Sequence, residues 1–314
     1  MLAQLVLERH QRVEREFAVD RFDAGILRIR QLLYFLEHGI DIATLDPSAA
    51  DLFEQQAHWN YFRRLREEDP VHFVDSEEFG PYWSVTRFED IVFVDSHHDL
   101  FSSEPAIVIG EPTLDFQPPM FIAMDPPKHD VERHAVTPAV TPMRLAEVEG
   151  LIRQRTQEVL DGLPVGEEFN WVDAVSIELT TRMLATLFDF PFEDRSKLTY
   201  WSDVSTSGPA VGGDFPEEER REILLECLEY FSRLWQERAA APPQTDFISL
   251  LAHNPETRDM EPLEFLGNLI LLIVGGNDTT RNSMSASVLA LHQNPGEYAK
   301  LLADQTLIPS MVSE

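Results

Sequence analysis

Apolar positions along the chain recur mostly at helical spacing, and strand-like patterning is confined to one short stretch. Near the start, Leu5, Leu7, Val13 and Phe17, then Ile26, Ile29, Leu32, Leu33 and Leu36, fall about one turn apart among many charges. Residues 1–50 are therefore expected to form a helical N-terminal extension, either packed on the body or offered to a partner, with Asp46-Pro47-Ser48 as a linker or turn near its end. Leu52, Phe53, Trp59, Phe62 and Leu65 predict a helix that stops before Pro70. The β-prone runs Val71 to Val74 and Tyr82 to Val85, around Gly80-Pro81, predict a hairpin. A short helix is expected from Phe88 to Val94. The stretch Ser102 to Met124 carries Pro105, Gly110, Pro112, Pro118 and Pro119 and reads as a long loop. Loops of that length inside a compact domain are usually functional.

Beyond Asp125 the pattern is almost wholly helical. Val148, Leu151, Ile152, Val159 and Leu163 share one face, as do Ile177, Leu184, Leu187 and Phe188. Gly208-Pro209 and Gly212-Gly213 break the run between Ser205 and Pro216. A charged helix follows from Glu217 to about Ala240, with Ile223, Leu224, Cys227, Tyr230, Phe231 and Leu234 on one face. A long helix then begins near Pro262 and runs to about His292, where Asn294-Pro295 stops it. The fold class is mainly α with a small β-sheet portion near the N-terminus.

Composition narrows the function classes. A chain of 314 residues with 43% apolar content can bury a large core. Its 25 Lys+Arg against 55 Asp+Glu give a net charge of −30, which repels phosphate backbones and anionic membranes, so no nucleic-acid partner is expected. The lone cysteine, Cys227, excludes an internal disulfide and every multi-cysteine metal site, and is consistent with a cytoplasmic protein. The longest apolar stretch, Phe265 to Gly276, falls short of the ~20 residues that span a bilayer, so no membrane anchor is expected.

Two segments carry candidate chemistry. Within the long helix, Gly275-Gly276-Asn277-Asp278-Thr279-Thr280 places two glycines, an acid and two threonines where helices disfavour them. Glycines allow a flat or bulky ligand to approach; a threonine hydroxyl can bond the carbonyl behind it and locally open the helix. An acid beside that opening can take part in proton delivery. A kinked helix-crossing contact is the alternative. Upstream, in Asp125-Pro126-Pro127-Lys128-His129-Asp130-Val131-Glu132-Arg133-His134, Asp125 is a candidate N-cap and Pro126 suits the first helical position. His129 and Arg133, four apart, share a face and can together clamp carboxylates, unless that face is simply solvated. His129 and His134, five apart, do not make a chelating pair.

Together these segments resemble the cytochrome P-450 haem-thiolate monooxygenases over roughly Asp51 to Glu314, so the expected organisation is an extension over 1–50 and an incomplete P-450 domain over 51–314. Gly275 to Thr280 is similar to the oxygen-binding motif of that family's long central helix, and Asp125 to Arg133 to its propionate-binding helix. The resemblance implies a haem b whose propionates are held by His129 and Arg133, with Gly275 and Gly276 on the dioxygen side and Asp278 and Thr279 organising a proton relay. The wording around Phe121 to Asp130 and Gly275 to Ser283 is similar to soluble bacterial terminal hydroxylases of medium-chain alkanes and fatty acids. That implies electrons from NAD(P)H through a ferredoxin reductase and a ferredoxin, docked near Lys128 and Arg144. The family's Phe-x-x-Gly-x-x-x-Cys-x-Gly loop, which ligates the iron, has no match here. Cys227 reads as a core residue, so the axial cysteine is expected beyond Glu314, where Met311-Val312-Ser313-Glu314 resembles the entry to the family's Glu-x-x-Arg helix. The 314 residues alone are expected to be inactive. A haem-free remnant with a binding role is the rival; a hydrolase is disfavoured by the absence of Gly-x-Ser-x-Gly, P-loop and His-Glu-x-x-His motifs.

Overall fold

The computed structural model describes residues 41–110, 116–208 and 215–313; the helices expected over residues 1–40 lie outside them, as do parts of the two expected loops. The chain divides into two compact units. Among the described residues, the first holds 41–101 with 109–110, and the second 102–108 with 116–208 and 215–313.

In the first unit the expected single helix before Pro70 is two, α1 (Ala50–Glu54) and α2 (His58–Glu68). Gln56 takes a left-handed φ of 55°, and the Ala57 amide donates to the Leu52 carbonyl, closing α1 against continuation. The hairpin is present: β1 (Val71–Ser76) pairs antiparallel with β2 (Gly80–Val85), with Phe73 opposite Trp83 and Val71 opposite Val85. Gly80, at φ 73°, supplies the backbone conformation that ends the turn. His72, Val74 and Ser76 form the buried side of β1; the ring nitrogens of His72 bridge Asp69 Oδ2 and the Leu45 carbonyl. Helix α3 (Phe88–Ser96) follows.

The second unit is helical: α4 (Lys128–Val136), α5 (Pro142–Asp161), α6 (Glu178–Leu187), α7 (Ser196–Ser205), α8 (Glu217–Ala240), α9 (Phe247–His253), α10 (Pro262–Gln293), α11 (Pro295–Ala303) and α12 (Ile308–Ser313). Thr141 caps α5 by accepting from the Arg144 amide, and Asp246 caps α9 by accepting from the Ser249 amide. A π turn over Val172–Ile177 leads into α6. The core is built from Leu184 of α6 and Phe188 just after it, Leu198 and Trp201 of α7, Phe231 of α8, and Leu266, Leu269 and Ile273 of α10. Cys227 is wholly buried in this core, and burial pushes its thiol far above the ordinary range, so it is a packing residue. No helix among the described residues is long and apolar enough to cross a membrane.

Candidate functional site

Helix α10 is unbroken α-helix over its 32 residues, although it contains every unfavourable choice seen in the sequence. Its glycines have separate reasons to be glycine. A Cβ at Gly267 would lie 1.9 Å from the Pro119 carbonyl oxygen, so the backbone of residues 118–119 rests directly on the helix there. A Cβ at Gly276 would lie 2.6 Å from Leu184 Cδ2, which makes Gly276 a crossing point between α10 and α6. At Gly275 a Cβ would meet nothing within 4 Å. The structure therefore divides the expected pair: the side-chain direction at Gly276 is filled by a neighbouring helix, and only Gly275 faces open space.

One turn on, Thr279 is exposed and its Oγ1 donates to the Gly275 carbonyl at 2.8 Å. The back-bonded hydroxyl anticipated from sequence is present, but the helix does not open around it, because this bond adds to the regular ladder without replacing it. Asp278 is held by Arg281, whose second nitrogen donates to Asp203 of α7 at 3.0 Å. Burial works against the Arg281 charge, yet Asp203 and Asp278 hold its pKa above the ordinary value. Arg281 and Asp203 were not singled out from sequence, although Arg281 stands three residues after Asp278 on the same face. Between Gly276 and Asp278, Asn277 is fully buried and accepts from Thr180 Oγ1 at 2.9 Å.

The second segment is arranged differently from the sequence expectation. Helix α4 begins at Lys128, and Asp125 does not cap it: its carboxylate accepts from Ser102 Oγ at 2.6 Å and from the Ser103 amide at 2.9 Å, which anchors the preceding loop. His129 is half-buried and donates from Nδ1 to the Phe121 carbonyl at 2.9 Å. Arg133 is exposed, and its guanidinium forms no ion pair among the described residues. Lys128 and Arg144, the expected docking cations, are already engaged by Glu264 at 2.7 Å and Glu147 at 2.9 Å.

A buried polar group that sequence reasoning missed lies behind His129. Asn268 of α10, 1% exposed, accepts from the Phe121 amide at 2.9 Å and donates to Glu132 Oε2 at 2.6 Å. Glu132 is itself 2% exposed, with Lys128 Nζ 3.8 Å from Oε1. Burial, and then the neighbouring Glu264 carboxyl, push its pKa up to about 7. The visible signal was a single polar residue, Asn268, inside the apolar run Phe265 to Gly276.

These features bear on whether a haem suits the chain. Among the described residues, a guanidinium without an ion pair at Arg133, a histidine whose Nε2 has no hydrogen bond at His129, and clear space at Gly275 suit a flat ligand with carboxylates at its edge. Cys227 does not suit the iron, because its buried thiol resists ionisation and it lies on the core face of α8. Among the described residues no group of three or more His, Cys, Asp or Glu is placed to hold a metal ion.

No family model matches the chain. It is 32% identical over 289 residues to linalool 8-monooxygenase of Pseudomonas putida, which covers 86% of this chain and 69% of that one. Steroid C26-monooxygenase of Mycolicibacterium smegmatis is 29% identical, and the chain spans 57% of its length. Among solved structures, cytochrome P450-153 from Novosphingobium aromaticivorans is 44% identical with a TM-score of 0.77, covering 85% of this chain and 68% of that chain. CYP153D17 from Sphingomonas sp. PAMC 26605 is 46% identical with a TM-score of 0.75, covering 87% and 68%. The mainly helical fold, the glycine-bearing long helix and this identity over most of the chain lead to one conclusion: the chain belongs to the cytochrome P450 monooxygenase family.

Proposed function

We propose that the chain forms the oxygen-side and carboxylate-binding part of a bacterial cytoplasmic haem monooxygenase that hydroxylates a medium-chain alkane or fatty acid. The observation that carries this reading is the open face at Gly275, followed one turn later by the exposed Thr279 hydroxyl. A thiolate-ligated haem, when bound, supplies the O2 chemistry that inserts one oxygen atom into a C–H bond. Cys227, a core side chain, is not its thiolate in this reading.

The chain's own residues have separate tasks in this reading. Arg133 and His129 hold the carboxylates at the edge of the haem, and the missing side chain at Gly275 leaves room for its flat face. Thr279 Oγ1 spends its proton on the Gly275 carbonyl, which leaves oxygen lone pairs to accept a hydrogen bond from water. Asp278 exchanges protons beside it, and Arg281 fixes the Asp278 carboxylate between uses. Ferredoxin and its NAD(P)H-dependent reductase deliver the electrons. Identity to the linalool and steroid monooxygenases, 32% and 29%, is lower than the 44–46% to the two P450-153 structures, which argues against carrying those two substrates over, and the terminal-hydroxylase reading rests on the resemblance at Phe121 to Asp130 and Gly275 to Ser283.

The test uses the haem-loaded enzyme with ferredoxin, reductase and NAD(P)H. Terminal hydroxylation of medium-chain alkanes or fatty acids is expected; turnover of terpenoids alone would overturn the substrate class. Thr279→Ala should retain haem while product formed per NAD(P)H falls by about tenfold or more. Undiminished coupling in that variant would remove Thr279 from the relay.

A further inference from the structure

We infer that Asn268 is a positioning residue which, through Phe121, holds His129 Nδ1–H on the Phe121 carbonyl, so that His129 meets an anionic ligand only through Nε2. The inference deepens the proposed function, because it rests on reading His129 and Arg133 as a carboxylate clamp.

The geometry is a short chain of hydrogen bonds with little freedom in any link. The Phe121 amide donates to Asn268 Oδ1 at 2.9 Å, and an amide N–H has no alternative role. The Asn268 side chain is therefore oriented: its oxygen faces Phe121, and its nitrogen donates to Glu132 Oε2 at 2.6 Å and approaches Met260 Sδ at 3.4 Å. On the far side of the same residue, the Phe121 carbonyl accepts from His129 Nδ1 at 2.9 Å. A carbonyl oxygen only accepts, so Nδ1 must carry a proton. The Phe121 ring packs edge-on against the imidazole, with centroids 6.1 Å apart and planes at 82°. The turn has little room to drift, since the Pro119 carbonyl just before it sits where a side chain at Gly267 would be.

The hydrogen bond made by one ring nitrogen sets what the other can do. With Nδ1–H committed to the Phe121 carbonyl, Nε2 is the ring nitrogen left to meet a carboxylate. Asn268 touches no ligand in this account. Its effect travels through the Phe121 turn, as outer residues that orient a ligand-binding histidine do in other proteins.

Imidazole 15N NMR of the chain without haem reads the tautomer directly, with His129→Gln identifying the signal. The Nδ1–H form is expected in the wild type. Asn268→Leu, which leaves the Phe121 amide without an acceptor, should shift the population toward Nε2–H. Asn268→Asp keeps an acceptor for Phe121 and should restore the Nδ1–H form. A wild-type ring in the Nε2–H form overturns the inference while leaving the clamp standing. If the tautomer is as expected but His129→Gln and Arg133→Gln bind haem as tightly as the wild type, the clamp falls, and with it the ligand assigned to this ring.

Discussion

In the first half of α10, Gly267 and Asn268 are enclosed, one by the backbone of residues 118–119 and the other by Phe121, Glu132 and Met260. Two turns further on, Gly275 and then Thr279 stand in the open, and toward the helix end Leu289 is 56% exposed. The same residue types thus do opposite things two turns apart. In the enclosed half, glycine and a polar amide make a tight junction between distant segments. In the open half, they leave space and an available hydroxyl. A glycine in a helix is therefore explained only by what a Cβ there would touch.

The largest expected effect is at the enclosed end. Gly267→Ala drives a methyl into a carbonyl that cannot rotate away, and should cost about 3 kcal/mol in denaturant unfolding, even though alanine favours the helix by about 1 kcal/mol. A loss below 1 kcal/mol would show that residues 118–119 do not rest on α10 as described.

The next effect is a pH dependence belonging to the same half. The folded chain keeps the Glu132 proton up to about 7, whereas the unfolded chain releases it near 4.5. Across that window the folded state binds more protons, so this group's contribution to stability falls as pH rises and is complete only below the window. Glu132→Gln keeps an acceptor for Asn268 and should flatten that fall. An equally steep decline in the variant would assign the titration elsewhere.

Smaller effects separate the two central glycines. Gly276→Ala meets the end of the Leu184 side chain, which can swing aside, so a net loss of about 1 kcal/mol is expected. Gly275→Ala meets nothing and should stabilise the chain by about 0.5–1 kcal/mol, while haem titration shows weaker binding if this position lines the cofactor. Equal behaviour of the two variants would erase the contrast between these two glycines.

Much of this organisation was legible in the residues. The hairpin around Gly80, α8 from Glu217 to Ala240 and α10 from Pro262 to Gln293 follow from local patterns of apolar spacing, proline and glycine. The family followed from two motifs about 150 residues apart, and the burial of Cys227 from its place on an apolar helical face. Local signals sufficed there because each element's pattern is written within itself.

Other features depended on residues far apart in the chain. Nothing local distinguishes Gly275 from Gly276; Leu184, more than ninety positions earlier, decides it. Asp125 has the composition of an N-cap, but Ser102 and Ser103 claim its carboxylate. The split of the helix before Pro70 rests on a left-handed Gln56 that its residue type does not announce. Asn268 and Glu132 are ordinary polar residues in sequence, and become a buried pair only when α4 and α10 pack together. Sequence determines which elements form and which chemistry they carry, because spacing and capping are local. Tertiary structure decides which face, which glycine and which carboxylate are used, because those choices depend on the atoms that folding brings alongside.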